Sequence, residues 1–198
     1  MIKLVLAALF LVNAGFAQDN SQQIIKEAQE KYDGINDLTA DFNQSASGKN
    51  STSGKFFFKK DQKLRIEFKN LTVITDGSTT WNFNKKENKV IISAYDDTDP
   101  FALSLNKLVY EYPANCNIKD ISKDGQKILY LTPKNSSISF KSITIWIDND
   151  NLISKVELEE PTAGKIEVQF SGYKINTKLS DSKFSFNAPE GSTVIDIR

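Results

Sequence analysis

Apolar and polar residues alternate with a period of two along most of the chain, a pattern typical of half-buried β-strands. The stretch "GKFFFKKDQKLRIEF", residues 54–68, shows it in its second half and also contains three consecutive phenylalanines. Since successive side chains of a strand point to opposite faces, Phe57 must point away from Phe56 and Phe58, outward or against the edge of another element. The residues expected on the buried face of this hairpin are Phe56, Phe58, Leu64, Ile66 and Phe68. Those expected to face water are Lys63, Arg65, Glu67 and Lys69.

The same alternation predicts about ten strands in all. The links between them are short and rich in turn-forming residues, for example "DNDN" and "EEPTAGK", which indicates an antiparallel meander and not βαβ units. The hairpin after the opening stretch carries Trp81 and Phe83, which we expect to add to the same buried face as Phe56.

Two segments have helical spacing instead. The first is capped by Asn20 or Ser21 and ends at Gly34. Its apolar face consists of Ile24, Ile25, Ala28 and Tyr32. The second interrupts the meander in "DDTDPFALSLNKLVYEYP", where Asp99 is a possible N-cap, Pro100 a first helical residue and Pro113 the end. Its apolar stripe consists of Phe101, Leu105, Leu108 and Val109.

An antiparallel sheet of this length must curl, split or close to hide its apolar face. With two amphipathic helices available, we expect one strongly curved sheet with both helices across its concave face. Such an arrangement either leaves an apolar hollow or is filled by the aromatic side chains, and the spacing of the residues leaves both possibilities open.

The first seventeen residues are predicted to be a cleaved signal peptide. Lys3 precedes an apolar run from Leu4 to Val12, and Gly15 and Ala17 supply small residues at the two positions that a signal peptidase recognises. The run is shorter than the ~20 residues that span a bilayer. We therefore expect residues 18–198 to form a single exported domain, periplasmic in a Gram-negative source.

The composition argues against several classes of function. The 25 basic residues equal the 25 acidic ones, and no basic stripe along the chain indicates nucleic-acid binding. Cys116 is the single cysteine, expected to be an inert thiol, and the chain has no histidine, which removes the commonest metal ligand and general base. The carboxylates are scattered over turns, and no motif indicates a hydrolase or transferase. We expect no catalysis and no cofactor.

The order of motifs resembles the family of periplasmic outer-membrane lipoprotein carriers, LolA. The resemblance lies in "YDGINDLTADFNQ", "GKFFFKKDQKLRIEF", "VITDGSTTWNFNKKENKV" and "DPFALSLNKL". It continues in the C-terminal residues Phe184, Phe186, Pro189, Gly191, Val194, Ile195 and Asp196. It covers essentially the whole exported chain.

The resemblance implies a mainly β fold with α-helices, an unclosed antiparallel β half-barrel capped by a lid of short helices. It also implies an apolar cavity that carries acyl chains. The expected acyl-chain-binding residues are Phe56, Phe58, Leu64, Ile66, Phe68, Trp81, Phe83, Phe101, Leu105 and Leu108. The implied partners are acylated lipoproteins, an inner-membrane exporter and an outer-membrane acceptor, with the carrier itself a monomer. A related lipid- or lipoprotein-binding sensor on the same half-barrel is the alternative.

The chain departs from the family at the turn after the aromatic strand. The family has a basic pair followed by proline there, with an arginine that fastens the lid, whereas here Lys59 and Lys60 precede Asp61. Lysine lacks the forked donors of arginine, so a lid contact through Lys60 would be weaker or differently placed. An ordinary solvated turn is the equally weighted alternative.

Overall fold

A computed structural model describes residues 19–47, 51–96, 104–136, 138–162 and 164–198 of the chain. Twelve strands of these residues form one sheet. Their bounds are β1 Asp37–Ala46, β2 Thr52–Lys59, β3 Lys63–Phe68, β4 Leu71–Thr75, β5 Thr79–Asn84, β6 Lys89–Ala94, β7 Cys116–Asp120, β8 Lys127–Pro133, β9 Ser142–Ile147, β10 Ile153–Glu160, β11 Gly164–Ile175 and β12 Thr193–Asp196.

The strand order is β12-β6-β5-β4-β3-β2-β1-β11-β10-β9-β8-β7. Neighbouring strands in the described residues are antiparallel, except that β12 runs parallel to β6 at one edge of the sheet. The expected fold class, an unclosed antiparallel sheet with short helices over it, is confirmed. The expected number of about ten strands was too low, because β7 and β12 carry too few alternating apolar residues to be recognised.

Two helical segments cover one face of the sheet. Helix α1 spans Ser21–Asp33. The inserted helix spans residues 105–115 and contains a π-helical turn, Lys107–Glu111, followed by α2, Tyr112–Asn115. The buried side chains of both helices belong to the same core as Phe56, Ile66 and Val73 of the sheet. We call this helix-covered side of the sheet the inner face and the opposite side the outer face.

The inserted helix differs in detail from the sequence prediction. Its expected start, Asp99 and Pro100, lies outside the described residues. Pro113 does not end the helix, because the carbonyl of Val109, four residues earlier, accepts a hydrogen bond from the Gln29 side chain in place of the missing Pro113 N–H. The helix ends at Asn115, where the chain enters β7. The predicted apolar stripe is confirmed in the described part, since Leu105, Leu108 and Val109 are all buried.

A second apolar cover lies on the outer face. Residues 177–186, which we call the outer segment, cross β2 and β3 on this side. Phe184 is fully buried there, and the ammonium of Lys183 lies 4.0 Å from the ring centre of Phe57. Phe57 therefore does point away from the inner core, as the alternation predicted. Arg65 and Glu67 share this face but are largely shielded from water, because Arg65 donates to the Lys183 carbonyl and Glu67 pairs with Arg65.

Candidate functional site

The inner face carries most of the side chains that the sequence singled out. The predicted side chains that lie on the inner face fall into two groups according to how deeply they are buried. The buried ones are Phe56, Leu64, Ile66, Leu105 and Leu108. Phe58 and Phe68 are partly buried against the same core. Phe101 lies outside the described residues. The structure thus brings the opening hairpin and the inserted helix together in one apolar cluster.

Trp81 and Phe83 were placed on the wrong face by the sequence prediction. Paired residues of adjacent strands share a face, and the ladder pairs Val73 with Asn82. Asn82 therefore points to the inner face, and Trp81 and Phe83 point to the outer one. The alternation of β5 is real, but its apolar side meets the outer cover, where the rings of Phe83 and Phe186 lie 5.2 Å apart. No local signal could have shown that the outer face has its own apolar cover.

A cavity of about 400 Å³ opens at one end of the inner face. It lies between the C-terminal end of α1, the β2–β3 turn and the inserted helix. Its apolar lining comes from Tyr32, Ile35, Phe58, Leu64 and Leu105. Its polar lining comes from Asp33, Lys60, Asp61, Gln62, Lys63, Thr75, Tyr95, Ser104, Asn106, Tyr110 and Glu111. The volume lies within the range of about 300–1,000 Å³ that is usual for ligand pockets.

Lys60 lines this cavity at the end of α1. Its ammonium donates a hydrogen bond of 3.0 Å to the backbone carbonyl of Asp33. A cation is favourable there, because the last carbonyls of a helix carry partial negative charge. In the described residues Lys60 donates hydrogen bonds to the carbonyls of Asp33 and, through its backbone N–H, Asn36, so a role in fastening the lid stays a prediction.

The inserted helix is fastened to α1 by residues that the sequence did not single out. The hydroxyl of Tyr110 donates a hydrogen bond of 2.5 Å to the Asp33 carboxylate, and Gln29 donates one of 3.0 Å to the Val109 carbonyl. Burial, followed by the contact with Asp33, raises the pKa of Tyr110. Tyr110 and Asp33 lie 77 residues apart, so no short-range pattern could pair them.

Helix α1 is in turn fixed to the sheet through buried hydroxyl groups. The N–H of Ile153 donates to the Tyr32 hydroxyl at 3.1 Å, and the Tyr173 hydroxyl donates to the Ile153 carbonyl. Lys127 of β8 forms an ion pair with Glu27 on the same helix. The sheet therefore holds α1 directly through its side chains.

The described residues offer little for other chemistry. They contain no group of His, Cys, Asp and Glu side chains that could hold a metal ion. The helices within them are also too short or too polar to cross a bilayer. Cys116 is buried at the start of β7, and burial raises the pKa of its thiol. A thiol in that state is a poor nucleophile.

Comparison with known proteins agrees with this architecture. The family model "Outer membrane lipoprotein carrier protein LolA" matches residues 33–187. An outer-membrane lipoprotein carrier protein of Photorhabdus laumondii is 27% identical over all of both chains. An uncharacterized protein of Methanocaldococcus jannaschii is 24% identical over 97% of this chain, which spans 60% of that protein's length.

A solved structure supports the fold alone. The crystal structure of an uncharacterized conserved protein from Thermus thermophilus superposes with a TM-score of 0.59 at 12% identity. The match covers 89% of this chain and 98% of that one.

Proposed function

Because the chain belongs to the LolA family of outer membrane lipoprotein carrier proteins, we propose that it binds the acyl chains of lipoproteins on its inner face. In this proposal it is exported to the periplasm, takes acylated lipoproteins from an inner-membrane exporter and passes them to an outer-membrane acceptor. The observation that carries the proposal is the single apolar inner face beneath two short helical segments. The charged groups lie at one end of this face, around the mouth of the cavity.

The physical demand on such a carrier is to replace membrane contacts during the crossing. Each methylene moved from water into an apolar site contributes ~0.8 kcal/mol, so that a lipoprotein with two or three acyl chains cannot cross water unaided. An inner face built from Phe56, Phe58, Ile66 and Phe68 offers contacts of the same non-directional kind. Transfer between bilayer and carrier is then close to neutral in free energy, which keeps it reversible.

In the structure the inner face is largely filled by the helices, so loading requires the inserted helix to move. This helix contributes Leu105, Leu108 and Val109 to the core and is joined to α1 by the hydrogen bonds of Tyr110 and Gln29. An acyl chain that replaces these three apolar side chains restores the burial that their displacement loses. The cavity beside Leu105 is where we propose that displacement begins.

The test replaces a side chain of the inserted helix. Leu105→Asp places a carboxylate at a site that is 4% exposed, where an unpaired charge is costly. We expect the closed empty form to be disfavoured and acyl-chain transfer to fall, while the strand ladder survives. Ile121→Asp, at a site that is 40% exposed between β7 and β8, is the matched control.

Two readouts decide the outcome. The dye ANS should bind the wild-type protein and be displaced by a lipidated peptide but not by its unlipidated form. The proposal fails if the wild type binds neither dye nor lipopeptide while Leu105→Asp leaves lipoprotein sorting intact. Retention of the lipopeptide without release to outer membranes would favour the sensor alternative.

A further inference from the structure

Exposed aliphatic side chains are concentrated at the β12 edge of the sheet. Five large hydrophobic side chains of the described residues are exposed, and three of them belong to residues 194–197. Val194 is 48% exposed, Ile195 40% and Ile197 64%. They project to both sides of the strand, because Val194 pairs with Val90 of the outer face and Ile195 with Ile91 of the inner face. The edge is thus an aliphatic ridge, not a groove.

This ridge is continuous with the inner face. One row of ladder partners crosses six strands and ends on β12. Its members are Phe56, Ile66, Val73, Asn82, Ile91 and Ile195. Ile197, just past the end of β12, lies on the same side of the chain as Ile195, and its N–H donates a hydrogen bond to the Ile92 carbonyl. The row is apolar except at Asn82, so an acyl chain that leaves the inner face along it reaches the ridge.

Lysines surround the beginning of the ridge. Lys85 and Lys86 lie in the β5–β6 turn, and Lys89 pairs with Thr193 at the first residue of β12. Lys69 lies beside them, because the residue that follows it, Asn70, accepts a hydrogen bond from the N–H of Lys85. Two acidic residues near these lysines are paired with arginines, Glu67 with Arg65 and Asp196 with Arg198, which leaves Glu87 and Glu190 as the remaining acidic residues at this end. Four lysines therefore exceed two glutamates, in a chain whose formal net charge is zero.

We infer that the β12 edge rests on the surface of an anionic phospholipid bilayer when acyl chains pass to or from the inner face. The inference depends on the proposed carrier function. Aliphatic side chains beside lysines are the combination that enters the headgroup region of anionic membranes. A second copy of the chain is a poorer occupant, because a strand of four residues offers far less than the ~1,200–2,000 Å² that stable interfaces bury.

Vesicle flotation tests the inference. The protein is purified after export, and it is mixed with phosphatidylcholine vesicles that either contain or lack phosphatidylglycerol. We expect weak, salt-sensitive flotation with the anionic vesicles and none with the neutral ones. The double variant Ile195→Ser, Ile197→Ser should lose it. Lys86→Gln with Lys89→Gln should weaken it about fivefold for each lysine.

The opposite edge of the sheet supplies the matched control. Ile121→Ser, combined with Lys119→Gln and Lys123→Gln, removes one exposed aliphatic side chain and two exposed lysines near β7, and should leave flotation unchanged. Equal flotation of the β12 variants and the wild type, or flotation independent of phosphatidylglycerol, would overturn the inference. So would binding to native membranes but not to protein-free vesicles, which would identify a protein as the occupant.

Lipopeptide binding in solution separates the two proposals. The Ile195→Ser, Ile197→Ser variant should still exchange ANS for lipopeptide, since the inner core is untouched. A wild type that floats with anionic vesicles but binds no lipopeptide would contradict the carrier function and leave the membrane contact standing.

Discussion

Gly54 shows how closely single residues are constrained in the opening hairpin. A Cβ added there would lie 2.7 Å from the ring of Phe42 and would also meet the carbonyl oxygen of Glu67. Phe42 in turn packs edge-to-face on Phe68, with ring centres 5.1 Å apart. The glycine is therefore required by the close approach of an aromatic ring and a neighbouring strand.

We expect Gly54→Ala to lower the free energy of unfolding by about 1–3 kcal/mol, the usual cost of overpacking. Urea denaturation measures it. Gly34→Ala is the control, because Gly34 has an ordinary helical φ of −79° and its nearest neighbour would be 3.5 Å away. Equal effects of the two substitutions would contradict the packing argument.

The buried hydroxyl of Tyr32 should make the stability of the protein depend on pH in the alkaline range. Burial raises its pKa from 10.0 to about 12, because the folded protein favours the neutral phenol. The resulting stability is present below pH 10 and is lost as the pH rises through about 12, since the unfolded chain loses its proton first. Tyr32 alone lowers the free energy of unfolding by at most about 1.4 kcal/mol per pH unit in this range.

Comparing the wild type with Tyr32→Phe isolates the contribution of this group from that of the rest of the protein. The variant should be less stable at neutral pH, because the Ile153 N–H loses its acceptor. Its urea midpoint should also fall less steeply between pH 10 and 12. Parallel pH profiles for the two proteins would show that Tyr32 does not titrate as inferred.

At the scale of elements, the strands β2–β6 are covered on both faces, although the outer-face residues of β3 and the inner-face residues of β5 are polar. The inner face packs on α1 and the inserted helix, and the outer face packs on the outer segment, which includes Phe186. Each strand thus places alternate residues in two separate layers. A side chain's layer follows from its ladder partners and not from its hydrophobicity.

This division predicts different effects for two aromatic substitutions. Phe58→Ala removes a side chain that lines the cavity and should weaken lipopeptide binding about ten- to a hundredfold, because burying an aromatic side chain contributes about 1.5–3 kcal/mol. Trp81→Ala acts on the outer layer and should lower stability without changing lipopeptide affinity. Titration calorimetry on both variants checks this. A loss of lipopeptide affinity in Trp81→Ala would show that Trp81 contributes to the acyl-chain site.

At the scale of the whole molecule, the proposal needs the chain to leave the cytoplasm. The N-terminal segment that would direct export lies outside the described residues, so cleavage after Ala17 stays a prediction. It has a direct consequence for the exported product, which should begin at Gln18.

Intact-mass analysis of the exported protein checks this prediction. Ala17→Arg is the control, since the position before the cut requires a small residue, and the variant should retain the N-terminal segment. An exported wild type that still contains Met1 would contradict the prediction.

The sequence by itself determined the features that depend on neighbours along the chain. The alternation from Lys63 to Lys69 placed Leu64 and Ile66 on one side and Arg65 on the other, and helical spacing identified the buried faces of α1 and the inserted helix. The order of motifs then indicated the family, which the match over residues 33–187 shows. These features depend on residues that are close together in the chain or on the order of motifs along it, so the pattern of residues is enough to predict them.

Tertiary structure alone decided which of two apolar layers each strand face joined. The period of two separates Trp81 from Asn82, but only the pairing of Asn82 with Val73 shows that Trp81 belongs to the outer layer. The contact of Tyr110 with Asp33 and the position of β12 beside β6 likewise join residues far apart in the chain. Such contacts arise from the packing of distant elements, and no short-range periodicity encodes them.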